Sequence, residues 1–202
     1  MILYLGLSPS KFPRKKDLLH YPVIRTEKLL SKELLDAKML WPNFTHAIFT
    51  SQTAVRYWQE EGLYFDKKGI AVGSSTADAL REFGIFPLVA LQETQEGIVD
   101  LLETIDLKGA FLFWPRSKKA RPFLEQYLQK RKCRYVALDL YDTIFQKPEP
   151  VPSLADVEEI VFTSPSTVHA FLKIYGVFPK NILLTAIGPV TRECLESLSL
   201  WP

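Results

Sequence analysis

The sequence predicts an α/β protein built from two similar halves, each with a parallel sheet. Short apolar runs of strand character alternate with amphipathic runs of helical spacing along most of the 202 residues. Strands and helices that alternate in this way favour parallel sheets with right-handed crossovers. Two sequence blocks also occur twice, in the same order and at nearly the same separation. We therefore expect two related α/β halves with a ligand cleft between them.

The duplication consists of a strand-to-helix block followed by a glycine-containing block. Phe49–Val55 recurs as Phe162–Val168, and Ala71–Thr76 recurs as Ala186–Thr191. In each copy, Ser and Thr residues follow an apolar run at the point where a helix is expected to begin.

The composition is that of an ordinary globular protein, with 47% hydrophobic residues, 24% charged residues and a net charge of +2. No apolar run is long enough to cross a bilayer. The apolar segment Met1–Leu7 precedes the basic residues Arg14–Lys16, which is the wrong order for a secretory signal, so we expect a strand there. The two cysteines, Cys133 and Cys194, fit a reducing cytoplasm. Scattered histidines give no metal-ligand pattern, and we expect no membrane contact and no metal.

The N-terminal segment is expected to contain two strands and a helix. The apolar runs Ile2–Leu7 and Tyr21–Ile24 predict the strands. Leucines between Lys28 and Met39 have helical spacing, which predicts the first helix.

A regular alternation of strands and helices follows. Ser51 is expected to cap a helix that Gly62 ends, and Gly84 is expected to end the next helix. The predicted strands are Ala47–Thr50, Gly69–Gly73, Pro87–Ala90, Ala110–Trp114 and an extended run at Arg134–Thr143, and the predicted helices are Thr53–Glu61, Ser75–Phe83, Thr94–Ile105 and Arg121–Lys130.

A proline-rich segment interrupts the pattern at Gln146–Pro152, where three prolines prevent a helix or a central strand. The earlier scheme then resumes. The predicted elements are strand Glu159–Thr163, helix Ser166–Tyr175, strand Asn181–Ile187 and helix Val190–Leu198.

Polar residues collect at the predicted carboxyl ends of the strands, where parallel sheets bind ligands. Free amide groups at the following helix termini can hold a carboxylate or phosphate. Alternatively, such residues serve only to cap the helices. No turn has a P-loop lysine or a complete dinucleotide glycine triplet, so a nucleotide is not favoured. The candidate residues are Thr50, Ser51, Gly73, Ser75, Thr76, Thr163, Ser164, Ser166, Gly188 and Thr191.

Basic residues form two clusters, which indicate either solvated surface or attraction of a polyanion. We give more weight to the first because it follows a predicted strand, whereas the second lies at a predicted helix end, where cations are favoured anyway. The first cluster is Arg116, Lys118, Lys119 and Arg121, and the second is Lys130, Arg131, Lys132 and Arg134.

Tyr141 is a candidate proton donor because it ends the extended run before the chain crosses to the other half. Its alternative role is that of a half-buried strand aromatic. The sequence shows no Ser-His-Asp set, so any chemistry would depend on holding and orienting a reactive ligand.

Several motifs together resemble one enzyme family, over about residues 44 to 198. They are Phe49-Thr50-Ser51 with Ala54-Val55, Val72-Gly73 with Thr76 and Ala79-Leu80, Phe113–Arg116 through Arg121 and Leu124, Tyr141 with Thr143, Phe162–Pro165 with Val168, and Ala186–Pro189 with Thr191. In this order they are similar to uroporphyrinogen-III synthase.

The resemblance implies two flavodoxin-like domains joined by a two-stranded linker, with residues 1–25 plus 144–202 in the first and 26–143 in the second. It implies dehydrating cyclisation of hydroxymethylbilane, a linear tetrapyrrole, with inversion of ring D to give uroporphyrinogen III in haem biosynthesis. It also implies no cofactor, a cytoplasmic location and a general-acid role for Tyr141. The polycarboxylate substrate would contact the ten strand-end residues together with Arg116 and Arg121, and we expect a monomer.

Two departures from the family pattern leave alternatives open. The family usually has an arginine just after its first strand, but residues 5–10 contain none. The family normally continues past the equivalent of Trp201-Pro202 with a strand and a helix, so we expect a smaller terminal sheet with an exposed edge. A degenerate two-lobed protein that binds an anionic small molecule without catalysis is the main alternative. Nucleic-acid binding through Arg116 to Arg134 is a third hypothesis, although the sequence contains no recognised nucleic-acid-binding motif.

Overall fold

The computed structural model of the chain describes residues 1–10, 12–13, 17–63 and 66–199. The chain forms two compact units: Met1–Arg25 with Thr143–Pro202 is unit 1, and Thr26–Asp142 is unit 2. Within the described residues, no helix has the length and apolar character needed to cross a membrane.

Between residues 24 and 145, and again from residue 159, strands and helices alternate along the chain as the sequence predicts. The strands are β1 (Ile2–Tyr4), β2 (Leu18–His20), β3 (Ile24–Lys28), β4 (His46–Phe49), β5 (Lys68–Ala71), β6 (Leu88–Val89), β7 (Phe111–Ser117), β8 (Arg134–Phe145), β9 (Glu159–Phe162) and β10 (Leu183–Ala186). The helices are α1 (Lys32–Leu40), α2 (Gln52–Gln59), α3 (Ser74–Arg81), α4 (Gln95–Glu103), α5 (Phe123–Lys130), α6 (Pro165–Tyr175) and α7 (Pro189–Ser199), with a 3₁₀ turn at Trp41–Asn43.

Unit 1 contains a parallel sheet in the order β10-β9-β1-β2. Its core is apolar, with Leu3, Phe162 and Phe171 fully buried. In the described part of the sheet, β10 and β2 form the two edges.

Unit 2 contains a six-stranded sheet in the order β3-β8-β7-β4-β5-β6. Side chains alternate across this sheet: Phe111 and Phe113 of β7 join one apolar cluster, and Leu112 and Trp114 join another. Because a strand directs successive side chains to opposite faces, both faces of this sheet are covered by apolar packing.

The duplication in the sequence corresponds to a duplication in the structure. In unit 2, β4 pairs in parallel with β5, and Phe49 lies opposite Ala71. In unit 1, β9 pairs in parallel with β10, and Phe162 lies opposite Ala186. The two copies therefore have the same strand direction and the same register, and the predicted α/β class with parallel sheets is confirmed.

The predicted strand at Tyr21–Ile24 is wrong, because strands β2 and β3 flank most of that segment. The segment is anchored to β1 and the residue after it, since the amides of Tyr21 and Val23 donate to the carbonyls of Tyr4 and Leu5. Pro22 lies between them and has no N–H to extend a ladder.

The first helix begins four residues later than predicted, at Lys32. Strand β3 continues as far as Lys28, and the Ser31 side chain accepts a hydrogen bond from the amide of Leu34 at 3.3 Å. This N-cap fixes the start of α1, which spacing of leucines alone does not reveal.

The predicted helix ends are confirmed where glycine defines them. Gly62, Gly84 and Gly176 follow α2, α3 and α6 with φ of 68°, 75° and 81°. Such positive φ favours glycine, which has no Cβ. The proline-rich segment Gln146–Pro152 contains no helix or strand.

Candidate functional site

The predicted proton donor, Tyr141, lies beside Ser51 at the carboxyl ends of the unit 2 strands. The Ser51 Oγ is 2.9 Å from the Tyr141 hydroxyl oxygen. The same Oγ accepts a hydrogen bond from the amide of Ala54 at 3.0 Å, so Ser51 is the N-cap of α2, as predicted. The helix start therefore fixes the position of the oxygen that meets the phenol.

Tyr141 is mostly buried, with 7% of its surface exposed. Its ring packs near that of Tyr57, with 5.9 Å between the centroids. Burial raises the pKa of Tyr141, and hydrogen bonds with the Ser51 and Ser117 side chains oppose that effect without cancelling it. Because the net shift is upward, the phenol keeps its proton at neutral pH and is chemically a proton donor.

Thr50 holds a buried aromatic side chain in place. Its Oγ1 accepts a hydrogen bond from the indole nitrogen of Trp114 at 3.2 Å. Trp114 is fully buried, and the Arg116 guanidinium lies over its ring at 4.8 Å. The predicted contact residue Thr50 thus has a structural partner within unit 2.

The turn before α3 already holds a carboxylate. The amide and the hydroxyl of Ser74 both donate to Oε1 of Glu93, each at 2.9 Å. A Cβ added to Gly73 would overlap the Glu93 side chain, so Glu93 can pack here because residue 73 has no side chain. Next to it, Ser75 is half-buried and Thr76 is buried.

Sequence reasoning missed Glu93 and Ser74, although it predicted that this turn suits a carboxylate. The available signal was an acidic residue after β6, the strand adjacent to β5. Parallel neighbouring strands bring their carboxyl ends to the same edge of a sheet, so a side chain after β6 can reach the turn after β5.

The two predicted substrate-binding arginines are paired with carboxylates of unit 2. Arg116 donates through Nε to Asp139 at 2.8 Å and through Nη1 to Glu125 at 2.7 Å. Arg121 forms a two-point pair with Glu96, with both N···O distances 2.7 Å. The positive charge expected to attract a polyanion is therefore balanced locally.

In unit 1, the second copy of the Thr-Ser turn has different contacts. The Thr167 Oγ1 accepts from the amides of Thr163 and Ser164 at 3.1 and 3.3 Å, and it donates to the Ser164 carbonyl at 2.7 Å. The Ser164 Oγ is buried and has no hydrogen-bond partner among the described residues. Ser166 follows in the first turn of α6 and is half-buried.

The second glycine turn of unit 1 is open. Gly188 has φ of 85°, and a Cβ built on it would meet nothing within 4 Å. Thr191, in the first turn of α7, is only 3% exposed. Close approach of the chain occurs at Gly6 instead, where a Cβ would lie 2.5 Å from the Thr163 side chain.

The predicted residues thus fall into two local groups. Unit 2 places Thr50, Ser51, Tyr141, the Gly73 turn and Glu93 at the carboxyl edge of one sheet, and unit 1 holds Thr163, Ser164, Ser166, Gly188 and Thr191. The described residues contain no group of three or more His, Cys, Asp or Glu side chains that could hold a metal ion.

Comparisons with known proteins agree with this arrangement. The profile of the family Uroporphyrinogen-III synthase HemD matches residues 16–202. A protein of Methanothermobacter thermautotrophicus described as "putative uroporphyrinogen-III synthase" is 29% identical, with the match covering 74% of this chain and 67% of that protein.

Two solved structures share the fold. A mutant uroporphyrinogen III synthase from the extremely thermophilic bacterium Thermus thermophilus matches with a TM-score of 0.66 and 22% identity, over 100% of this chain and 90% of that one. Uroporphyrinogen-III synthetase from Helicobacter pylori 26695 matches with a TM-score of 0.67 and 19% identity, over 97% and 87%. None of these similarities supports the alternative of a noncatalytic binding protein. The chain belongs to the uroporphyrinogen-III synthase HemD family, whose members are enzymes of haem biosynthesis that act on a tetrapyrrole.

Proposed function

We propose that this chain converts hydroxymethylbilane to uroporphyrinogen III by a dehydrating cyclisation that inverts ring D. The reaction is that of a hydro-lyase, and we propose that it uses no metal and no organic cofactor. Family membership supports the overall reaction, and the single structural observation that carries the mechanism is the hydrogen bond between Ser51 and Tyr141.

Tyr141 supplies a proton to the departing hydroxyl group in this mechanism. The hydroxyl leaves from a carbon that the adjacent pyrrole activates, so one modest general acid is sufficient to release it as water. The raised pKa of Tyr141 keeps the phenol protonated until the leaving group develops negative charge. Ser51 acts through Tyr141, because its capping bond to Ala54 fixes the oxygen that orients the phenol.

The eight carboxylates of the substrate require hydrogen-bond donors rather than a hydrophobic pocket. In unit 2, we propose that the Ser74 amide and hydroxyl bind one carboxylate after Glu93 has moved away. Glu93 is exposed and its carboxylate already satisfies these donors, so the turn has the chemistry that the substrate needs. The neighbouring predicted contacts Thr50, Ser51, Gly73, Ser75 and Thr76 belong to the same edge of the sheet.

We keep the five unit 1 residues as predicted substrate contacts: Thr163, Ser164, Ser166, Gly188 and Thr191. The unpartnered Ser164 Oγ, which has no hydrogen bond among the described residues, and the open Gly188 turn support a role for two of them.

Arg116 and Arg121 have a different role in this proposal. Each guanidinium is satisfied by carboxylates, and freeing either one would leave those carboxylates unpaired. We propose that they stabilise unit 2 rather than contact the substrate directly.

The enzyme also has to act faster than the spontaneous closure of hydroxymethylbilane to the uninverted isomer. Holding the two ends of the linear tetrapyrrole in the productive orientation meets this requirement better than stronger acid–base groups would. We further propose that the protein acts as a cytoplasmic monomer and that nucleic acid is not its partner.

The isomer composition of the product tests this function. Freshly made hydroxymethylbilane is incubated with the protein, which has been dialysed against EDTA, and the oxidised porphyrins are separated into isomers I and III. We expect isomer III at a rate proportional to protein concentration. Isomer I alone, formed at the rate seen without protein, would overturn the proposal, and a loss of activity restored by added metal would overturn its cofactor-free part.

A further inference from the structure

A basic cavity lies at the edge of unit 2 opposite to Tyr141, where the strands β7 and β8 begin. Its volume is about 720 Å³. The loop between α4 and β7 forms one wall, and the turn between α5 and β8 forms the other. The buried side chains of Leu102 and Leu112 contribute to its lining. A volume of this size suits a small molecule rather than a single ion.

The lining is strongly cationic. Five of the lining residues are cationic and only one, Asp106, is anionic; its Oδ1 accepts a hydrogen bond from the backbone amide of Lys108. The cations are Lys108, Lys130, Arg131, Lys132 and Arg134.

Two of these cations are held in place. The Arg134 guanidinium lies over the ring of Phe111 at 4.0 Å, and Arg131 pairs with Glu103 at 3.2 Å. Among the described residues, no carboxylate pairs with Lys108, Lys130, Lys132 or Arg134. This distinguishes the cavity from the other basic cluster, where Arg116 and Arg121 are both neutralised.

Lys132 occupies a position that other helices of this chain give to glycine. It follows α5 with φ of 52°, and the amides of Lys132 and Cys133 bond back to the carbonyls of Gln129 and Leu128. After α2, α3 and α6 the left-handed residue is a glycine. A side chain in this conformation is unfavourable, so a lysine there suggests a function for its charge.

We propose that this basic cavity binds a compact polyanion that carries two or more phosphate or carboxylate groups. Four of the cations line one wall of the concavity, from the end of α5 to the start of β8, and Lys108 lines the other wall, so the charge is concentrated at one cavity, which favours a small ligand over a nucleic acid. The site is separate from the proposed catalytic residues, because it lies at the amino ends of the strands and they lie at the carboxyl ends.

Calorimetric titration in 0.15 M NaCl tests the proposal, with tripolyphosphate and benzenehexacarboxylate as probes. At this salt concentration interactions beyond about 8 Å are largely screened, so a single surface lysine binds neither probe appreciably. We expect saturable binding of at least one probe, and the tighter of the two identifies phosphate or carboxylate as the preferred group. The proposal would be overturned if neither probe binds, or if a single-stranded oligonucleotide binds more tightly than both probes.

Charge-matched variants locate the site. The double variant Lys130→Gln/Lys132→Gln should bind the probe at least tenfold more weakly. The control, Lys32→Gln/Lys180→Gln, removes the same charge from two exposed lysines outside the cavity and should change binding less than twofold. Equal weakening in both variants would show nonspecific attraction and contradict the proposal.

Two further readouts separate binding from folding. Lys132→Gly relieves the left-handed strain, so its melting temperature should equal or exceed that of the wild type while binding falls several-fold. The probe should also slow alkylation of Cys133, which lines the cavity, and leave Cys194 unaffected. Unchanged binding in Lys132→Gly, or equal protection of both cysteines, would contradict the assignment.

Discussion

The two copies of the duplicated block have the same backbone arrangement but different partners. In unit 2, the Ser51 hydroxyl caps α2 and meets the Tyr141 phenol. In unit 1, Ser164 is the N-cap of α6, but the Thr167 Oγ1 accepts from the amides of Thr163 and Ser164, and the Ser164 Oγ has no partner among the described residues.

The glycine turns differ in the same way. Gly73 is in extended conformation with the Glu93 carboxylate closed over it, whereas Gly188 has a positive φ and open space around it. The partners in unit 2, Tyr141 and Glu93, both come from outside the duplicated blocks. The comparison indicates that the repeat supplies donors at strand ends, and that neighbouring strands decide what those donors do.

The largest effect should come from Tyr141→Phe, which removes the proposed proton donor and keeps the ring. General acid catalysis typically contributes a factor of about 100 to 10,000, so we expect kcat to fall at least about 100-fold while KM changes little. Steady-state kinetics with hydroxymethylbilane measures both. Tyr135→Phe, on the same strand β8, is the control and should keep kcat; an unchanged kcat in Tyr141→Phe would remove the phenol from the mechanism.

The next largest effect should separate Ser51→Ala from Ser164→Ala. Ser51→Ala should lower kcat about tenfold, because the phenol loses its orienting oxygen, and it should lower the unfolding free energy by about 1 kcal/mol through loss of the α2 cap. Ser164→Ala should raise KM, because it removes a proposed substrate contact, and it should leave kcat unchanged. Kinetics and urea unfolding of both variants check this, and equal losses of kcat would refute the difference between the copies.

Smaller effects should distinguish the two glycine turns. Glu93→Gln weakens the hold on Ser74, and Gly73→Ala displaces Glu93, whose flexible end can swing away, so both variants should lower KM a few-fold. Gly188→Ala has room for its methyl group but an unsuitable φ, so it should instead lower the unfolding free energy by about 1 kcal/mol. Unchanged KM in both Glu93→Gln and Gly73→Ala would limit Glu93 to a structural role.

The smallest effect concerns acid stability of unit 2. The two-point pair with Arg121 lowers the pKa of Glu96 from 4.5 to about 2. A carboxyl whose pKa falls on folding stabilises the fold fully above its unfolded pKa, so this contribution should decline as pH drops below about 4.5 and be lost as pH falls through about 2.

The pair is more than a third exposed, so Glu96→Gln should cost no more than about 1 kcal/mol at pH 7, and the difference from the wild type should be smaller at pH 2, where about half of Glu96 is protonated in the folded state. The unfolding free energy is measured by tryptophan fluorescence during urea unfolding. A Trp201→Phe background is used because the other three tryptophans, Trp41, Trp58 and Trp114, all lie in unit 2. A difference at pH 2 as large as the difference at pH 7 would contradict the assignment.

The sequence was sufficient to predict the alternation of elements and the duplication, because hydrophobic spacing and glycine stops act locally. The Ser51 cap and the ends at Gly62 and Gly84 are examples. The strand prediction for Tyr21–Ile24 was wrong, because a short apolar run does not reveal where a strand begins and ends. Strand β2 ends before this segment, and strand β3 begins at its last residue.

The sequence predicts which strand ends carry polar candidate residues, but it does not predict the contacts that those residues make. The sequence predicts basic attraction at Arg116 and Arg121, but their carboxylate partners, such as Asp139 and Glu96, come from other elements. The contacts between Glu93 and Ser74 likewise depend on the order of strands in the sheet, which local spacing does not encode. Residue types indicated the chemistry, and tertiary packing determined which charges are available.

The rates of Ser51→Ala, Tyr141→Phe and the double variant, measured in one assay of uroporphyrinogen III formation, test most directly whether the two hydroxyls act as one unit. If Ser51 acts only through Tyr141, the double variant should have the kcat of Tyr141→Phe within about twofold. A double variant whose loss equals the product of the two single losses would show independent roles and contradict the account.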